Sequence, residues 1–391
     1  MPRPAARPAV LQVLSTEDGE AVARGVVQLA RALVEAGWAA VVASPGGRLE
    51  RELAGCGGVH VTLPLDSRNP LTVFADVRRL ARTVTERNVK LIHAHGPLAG
   101  WTGAFAAKRA KIGFMTTFHR VQEGQNHWLK RRFNGVMTAG DRVIAVSDFI
   151  AEHIQEGYEV DGSRVRIVRH GVDLSAFDPA AVRGHRIAAL SERWQLGYER
   201  RVVILPGRVE RAKGHLVALE AMARMKRKDF LLLVVGDLDS KSAYVREIER
   251  TILAKNLSDR VHFGGHCDDM AAAYMLADVV ILPAVEPEAF GRVAIEAQAM
   301  GKPVVVSHMG ALPETVMPAS TGWLIKPDDP DELAWALDLA LSMEGDVKER
   351  LAERARAFVV EELSIEQMCR RTIDIYRELV RNAPRPATVA A

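Results

Sequence analysis

Cysteine is scarce in this sequence. Its 391 residues contain three, Cys56, Cys267 and Cys369. They lie far apart without metal-ligand spacing, so neither a disulfide framework nor a cysteine metal centre is indicated. A reducing cytoplasm is the expected setting. Long apolar runs are missing too: no segment reaches the roughly eighteen uncharged residues that a membrane span needs. The opening MPRPAARPAVLQVLS has only a brief apolar run, Ala9 to Leu14, too short for a secretory signal core. Nor does one charge sign dominate. The 52 Lys and Arg against 49 Asp and Glu leave +3, which gives no ground for binding nucleic acid. No Gly-x-Gly-x-x-Gly follows the first strand of either half, which argues against a dehydrogenase.

What is present is a globular composition, 48% hydrophobic and 26% charged, over a length that suits two domains. Short apolar runs alternate with segments of helical period. Val10–Leu14, Ala39–Ala43, Lys90–His93, Phe114–Thr117, Val143–Val146 and Val165–Val168 read as buried strands. Val22–Glu35, Leu71–Arg87, Leu98–Arg109 and Phe149–Glu156 read as helices. Asn69 and Pro70 mark one helix start, and Gly37 marks one helix end.

The pattern pauses over a polar stretch from about Asp173 to Arg201, then resumes. Strands are expected at Val202–Leu205, Leu231–Val235, Val261–Phe263, Val279–Leu282 and Val304–Val306. Helices are expected at His215–Met225, Ser242–Lys255, Ala271–Leu276, Arg292–Met300 and through most of 330–381. The tail APRPATVAA is expected to be disordered. Such alternation implies parallel sheets with right-handed crossovers, an α/β fold of two doubly wound, Rossmann-like domains with a cleft between them. The expected division is 1–185, 186–363, and a final helix with its tail, 364–391, returning toward the first domain.

Two segments carry chemistry. In Leu205-Pro-Gly-Arg-Val-Glu-Arg-Ala-Lys-Gly214 a strand runs into Gly207, and Arg208 and Lys213 flank a short loop before a helix. Two cations there suit a diphosphate, since a close charge pair gains about 4 kcal/mol at an effective dielectric near 20. A solvated basic loop is the alternative for this segment taken alone. In Val280 to Val305 a strand ends at Pro283, a loop carries Glu286, Glu288, Ala289 and Phe290, and a helix starts near Gly291. Exposed amides at a helix start hold phosphate, and Glu288 and Glu296 are placed to accept from sugar and ribose hydroxyls.

Glu288 and Glu296, with seven residues between them, together with Arg208 and Lys213 after a strand, resemble the signature of glycosyltransferase family 4. The resemblance extends over nearly the whole chain. Gly264-Gly-His-Cys-Asp-Asp269 looks like the family's loop near the base, and Met309-Gly-Ala-Leu-Pro-Glu314 like its later glycine loop. The resemblance implies a GT-B fold and sugar transfer with retention from a nucleoside-diphosphate sugar, UDP favoured. The acceptor it implies is a glycan or glycolipid, as in lipopolysaccharide or polysaccharide synthesis. It also assigns roles: Arg208 and Lys213 to the diphosphate, Glu288 to the donor sugar and Glu296 to the ribose. Gly19, Gly207, Ala289, Phe290 and Gly291 join the donor site, and His119 lies beside the reacting centre.

The chain departs from the family where paired glycines usually follow the first strand. Here Thr16-Glu-Asp-Gly-Glu20 has only Gly19, and Arg120 replaces a common small residue after the histidine. A packing or capping role is the alternative for His119. His93-Ala-His95 is expected to be structural, with its two rings on opposite faces and no third metal ligand. Asp237-Leu-Asp239 is expected to form a strand-end turn. No metal and no cofactor is expected, because the basic groups can replace a divalent cation.

Between Lys108 and Phe133 seven basic residues (Lys108, Arg109, Lys111, Arg120, Lys130, Arg131, Arg132) outnumber Glu123 and interleave with Trp128, Leu129 and Phe133. Docking on the anionic cytoplasmic face of the inner membrane and a solvated helix face are equally open readings. Three rivals to the transferase also stand: a GT-B epimerase, a phosphorylase, and a non-catalytic nucleotide-sugar-binding protein.

Overall fold

In the computed structural model, which describes residues 7–67, 69–122, 127–197 and 199–382 (less the side chains of 48, 49 and 382), the apolar runs become two parallel sheets. The expected pair of Rossmann-like folds is therefore present. The chain divides into two compact units. One runs to Arg169 and takes in the last helix from Glu366; the other spans His170–Ile365.

The first unit holds β1 (Ala9–Val13), β2 (Ala39–Ser44), β3 (Val59–Thr62), β4 (Val89–Ala94), β5 (Gly113–Phe118), β6 (Arg142–Ala145) and β7 (Val165–Ile167). Their order is β3-β2-β1-β4-β5-β6-β7, and every pair is parallel. The connecting helices are α1 (Glu20–Glu35), α2 (Arg48–Gly55), α3 (Pro70–Glu86), α4 (Pro97–Ala110), α5 (Trp128–Asn134) and α6 (Asp148–Tyr158). Central strands such as Ala9–Val13 are buried along their whole length, as a sheet covered on both faces requires. Asn69 caps α3 by accepting from the Leu71 amide at 2.9 Å, with Pro70 in the first turn.

The second unit begins its sheet later. It contains α7 (Gly184–Arg193), β8 (Arg201–Pro206), α8 (His215–Arg224), β9 (Phe230–Val235), α9 (Ala243–Ala254), β10 (Val261–Gly265), α10 (Met270–Leu276), β11 (Val279–Leu282), α11 (Arg292–Ala299), β12 (Val304–Ser307), β13 (Gly322–Ile325), α12 (Pro330–Leu341) and α13 (Gly345–Glu362). The strand order is β10-β9-β8-β11-β12-β13, again all parallel. The polar stretch after Asp173 is not a bare linker. It forms α7, whose Leu190 joins Trp194 and Leu196 in the core of this unit. The Trp194 indole donates to the Gly264 carbonyl at 2.9 Å, and Arg186 pairs with Asp269 at 2.6 Å. The polar residues of α7 mask an element held by three large apolar side chains.

The last helix, α14 (Ile365–Asn382), packs in the first unit. Its Tyr376 is fully buried and bonds to His93 on β4, and its Glu378 pairs with Arg142 on β6. Open parallel sheets bind ligands beyond the carboxyl ends of their strands, where the strand order reverses. Those positions lie between β1 and β4 in one unit, and between β8 and β11 in the other. The tail from residue 383 lies outside the described residues.

Candidate active site

In the second unit, β8 and β11 deliver the two signature segments side by side. β8 runs out through Gly207, whose φ of +124° bends the chain toward a 3₁₀ turn at Arg211–Lys213. With no side chain on Gly207, the Lys213 stem lies across it; a Cβ there would stand 3.5 Å from the Lys213 Cε. Gly214 then begins α8 at φ +73° and touches the end of β11 so closely that a Cβ would be 1.7 Å from the Pro283 carbonyl oxygen. The Val285 amide donates to the Ala212 carbonyl at 2.9 Å. The two loops are thus joined through backbone, and the glycines are what permit the approach.

That junction places Lys213 Nζ 2.6 Å from Glu288 Oε1, with the two side chains 28% and 20% exposed. Arg208 points into solvent, 72% exposed, and pairs with Glu210 at 3.0 Å. Arg211 turns elsewhere, pairing with Glu247 at 2.5 Å and lying over the Tyr244 ring. Of the three cations in this loop, Lys213 is therefore fixed against the second segment, and Arg208 stays exposed.

The segment after β11 is set from beneath by the later glycine loop. Gly310, at φ +56°, packs on the Glu288 backbone, and the Ala311 amide donates to the Glu288 carbonyl at 2.9 Å. Gly291 begins α11 without a side-chain cap, wedged against Leu312 and Thr315, and Phe290 meets the edge of the His170 ring. Glu296, in the second turn of α11, accepts from the Tyr274 hydroxyl at 3.0 Å. Burial holds that phenol well above its ordinary pKa, so it remains the donor. Nothing in the pattern of α10, an alanine-rich helix, singled out Tyr274. Asp237 lies two residues beyond β9 and faces His266 at 3.1 Å, while His266 also bonds to Asp268 at 3.0 Å. These neighbours raise the His266 pKa, chiefly because Asp268 and then Asp237 accept hydrogen bonds from its ring.

In the first unit the strand ends carry a histidine cluster. His119 follows β5 and is half-buried. Its Nε2 lies 3.0 Å from His95 Nδ1, and His95 Nε2 lies 3.2 Å from Gln12 Oε1 on β1. His93 sits between the Tyr376 hydroxyl (2.6 Å) and Thr117 Oγ1 (2.7 Å). The expectation that His93 and His95 face opposite ways is corrected here. Their rings are 4.2 Å apart, because residues two apart along a strand share a face. Both are buried, and burial lowers the His95 pKa to about 3 and drives that of His93 well down.

The Thr16–Gly19 loop is folded inward rather than left as a bare acidic turn. Asp18 Oδ2 accepts from the Ser15 amide at 2.7 Å and from its hydroxyl at 3.0 Å. The Asp18 carboxylate presses on Gly96, where a Cβ would meet its Oδ1 at 1.9 Å. Burial raises the Asp18 pKa despite those bonds. Gly19, at φ +85°, leads into α1.

Glu17 and Arg120 line a cavity of about 580 Å³ together with Pro97, Gln122, Leu129 and Lys130. Beside it, Trp128, Leu129 and Phe133 are 69%, 53% and 39% exposed, and the seven basic residues of the segment are exposed as well. Arg131 is paired with Glu159 at 3.0 Å. Residues 123–126 of the segment, Glu123 included, lie outside the described residues. Among the described residues no helix is long and apolar enough to cross a membrane.

Two family models match the chain: "Glycosyltransferase Family 4" over residues 22–176 and "Glycosyl transferases group 1" over residues 188–358. A D-inositol 3-phosphate glycosyltransferase of Salinispora arenicola is 34% identical over 304 residues, 72% of this chain and 67% of that protein. The crystal structure of a glycosyltransferase from Rickettsia africae superposes with a TM-score of 0.88 at 29% identity, over 96% of this chain and 99% of that one. The Anabaena protein HepE in complex with UDP-glucose superposes with a TM-score of 0.77 at 22% identity, over 95% and 100%.

Proposed function

The chain belongs to glycosyltransferase family 4, and we propose that it moves a sugar from a nucleoside-diphosphate sugar to a hydroxyl of a glycan or glycolipid with retention of configuration. The observation that carries the donor side is the Lys213–Glu288 pair at the joined ends of β8 and β11. A diphosphate entering there meets Lys213, Arg208 and the uncapped start of α11. These groups stabilise the negative charge that grows on the leaving diphosphate as the bond to the sugar breaks. They do so without a divalent cation, so transfer should persist in a chelator. Displaced from Lys213, Glu288 is available to the donor sugar, while Glu296, steadied by Tyr274, takes the ribose. Ala289 and Phe290 shape the wall between them. UDP is the nucleotide proposed, as in the Anabaena complex.

In the first unit, Gly19 opens the strand-end loop and His119 serves the transferred sugar. The exposed Trp128, Leu129 and Phe133 among basic side chains support a lipid-borne acceptor and a location on the cytoplasmic face of the inner membrane. A second reading of the acceptor is a small phosphorylated hydroxyl compound. It is favoured by Arg120 and Lys130 in the 580 Å³ cavity and by the name of the Salinispora relative.

The two acceptors separate in one experiment. UDP release from UDP-sugar is followed with lipid-linked glycan in vesicles containing anionic phospholipid, and with inositol phosphate in solution. The first reading expects release with vesicles only, lost when Lys130, Arg131 and Arg132 are replaced by serine or when salt is raised. Release with inositol phosphate, indifferent to those three substitutions, establishes the second. Donor loss with neither acceptor and no binding of UDP overturns the donor assignment itself.

A further inference from the structure

His119 does not stand alone at its strand end. Behind it runs a line of hydrogen bonds to the middle of the sheet: His119 Nε2 to His95 Nδ1 (3.0 Å), His95 Nε2 to Gln12 Oε1 (3.2 Å), and Gln12 Nε2 to the Val26 carbonyl (3.3 Å). We propose that Gln12 and His95 are positioning residues that fix the tautomer of His119, keeping its proton on Nε2 and its lone pair on Nδ1.

The direction of the line follows from its buried end. A backbone carbonyl only accepts, so the Gln12 amide nitrogen faces Val26 and its oxygen faces His95. That oxygen also only accepts, so His95 Nε2 carries a proton. A neutral imidazole has one N–H, which leaves His95 Nδ1 as an acceptor, and the hydrogen between the two rings must then belong to His119 Nε2. His95 stays neutral because Gln12 and His95 are buried, with 0% and 6% exposure, and burial disfavours the charged ring. The rings of His95 and His119 stack at 5.3 Å, which limits rotation of His119 as well.

A parallel line holds the adjoining ring. His93 bridges Tyr376 on α14 and Thr117, two residues before His119 on β5. His93 and His95 are 4.2 Å apart, so α14 braces the cluster from behind.

The tautomer assignment stands on these hydrogen bonds; its consequence for transfer rests on the reading of His119 as serving the sugar. The two are distinguishable in one set of measurements on the full chain. With ¹⁵N-histidine labelling, wild-type His119 should show a protonated Nε2 and an unprotonated Nδ1 above its titration range, and His95 a protonated Nε2. Gln12→Leu keeps the volume but removes the acceptor from His95. Both rings should then populate the reversed tautomer, and turnover should fall about tenfold with the donor KM unchanged. Gln12→Glu restores an accepting oxygen and should restore the wild-type tautomer. A wild-type His119 protonated on Nδ1 overturns the relay, and needs no variant. An unchanged tautomer in Gln12→Leu overturns it too. A reversed tautomer with normal turnover upholds the relay and removes His119 from the reaction.

Discussion

Replacing Lys213 with methionine deletes the ammonium and keeps the unbranched stem that lies across Gly207. In the free protein the variant leaves Glu288 without its 2.6 Å partner. Losing one member of a fully buried pair costs about 3–5 kcal/mol. Here the side chains retain 28% and 20% exposure, so water screens the charge that remains. A stability loss on the order of 1 kcal/mol is expected, and the fold should survive. Binding of nucleotide should suffer more. A hydrogen bond to a charged group contributes about 1.5–3 kcal/mol, which is roughly a 10- to 150-fold rise in the Kd for UDP.

Titration calorimetry with UDP on Lys213→Met reads this directly, and Arg211→Ala is the control. Arg211 belongs to the same loop, but its guanidinium is engaged by Glu247 and Tyr244. Its removal should change UDP affinity less than about twofold. Equal affinity for wild type and Lys213→Met refutes the diphosphate assignment, and equal losses in both variants reduce it to general electrostatics.

The two glutamates should separate: Glu296→Gln weakens UDP and UDP-sugar alike, whereas Glu288→Gln spares UDP but slows transfer, as calorimetry and initial rates will show. Gly214→Ala forces a Cβ against the Pro283 carbonyl at a positive φ; unfolding in urea should reveal a loss of at least about 2 kcal/mol, with donor binding lost as well. His95 should make the fold acid-sensitive. Its folded pKa is depressed to about 3 from 6.5, so its contribution is intact above the unfolded value and is lost as pH falls. Between those limits wild type should lose about 1.4 kcal/mol per pH unit relative to His95→Gln; parallel stability curves for the two proteins would contradict a buried neutral His95.

The central strands and the two loops that β8 and β11 bring together were legible because each announces itself locally. Strands such as Leu231–Val235 are unbroken apolar runs, and Arg208, Lys213, Glu288 and Glu296 fall at fixed distances from strand ends. What escaped was decided by tertiary context. β3 is Val59-His-Val-Thr62, short and half polar, and becomes a strand because β2 offers it a free edge. β13, Gly322-Trp-Leu-Ile325, is equally short, and it pairs with β12 where Gly322 lets the chains touch. α7 reads as linker until Trp194 is seen inserted beneath Gly264. α5 gathers Trp128, Leu129 and Phe133 of the basic segment on one short helix, which their spacing in the sequence does not announce.

Tyr274 and Gln12 carry no signal in the sequence because the side chains they bond, Glu296 and His95, lie 22 and 83 residues away. The histidine pair carries its signal in its spacing. Residues 93 and 95 are two apart, so the strand period puts them together, and the result is a buried relay toward His119. The loop after β1 carries two carboxylates, Glu17 and Asp18, in sequence. Its Asp18 is turned back on Ser15, which no count of charges would show.

Sugar transfer with retention from a nucleoside-diphosphate donor is read from the anomeric proton of the product. The protein is incubated with UDP-linked sugar carrying ¹³C at the anomeric carbon, a set of lipid-linked and soluble hydroxyl acceptors, and chelator. Proton NMR then follows the anomeric coupling. The donor signal should decay only when an acceptor is present, UDP should appear in equal amount, and the new glycoside should show the donor's own anomeric configuration. A product of opposite configuration, or a donor converted to an isomer without release of UDP, would contradict retaining transfer.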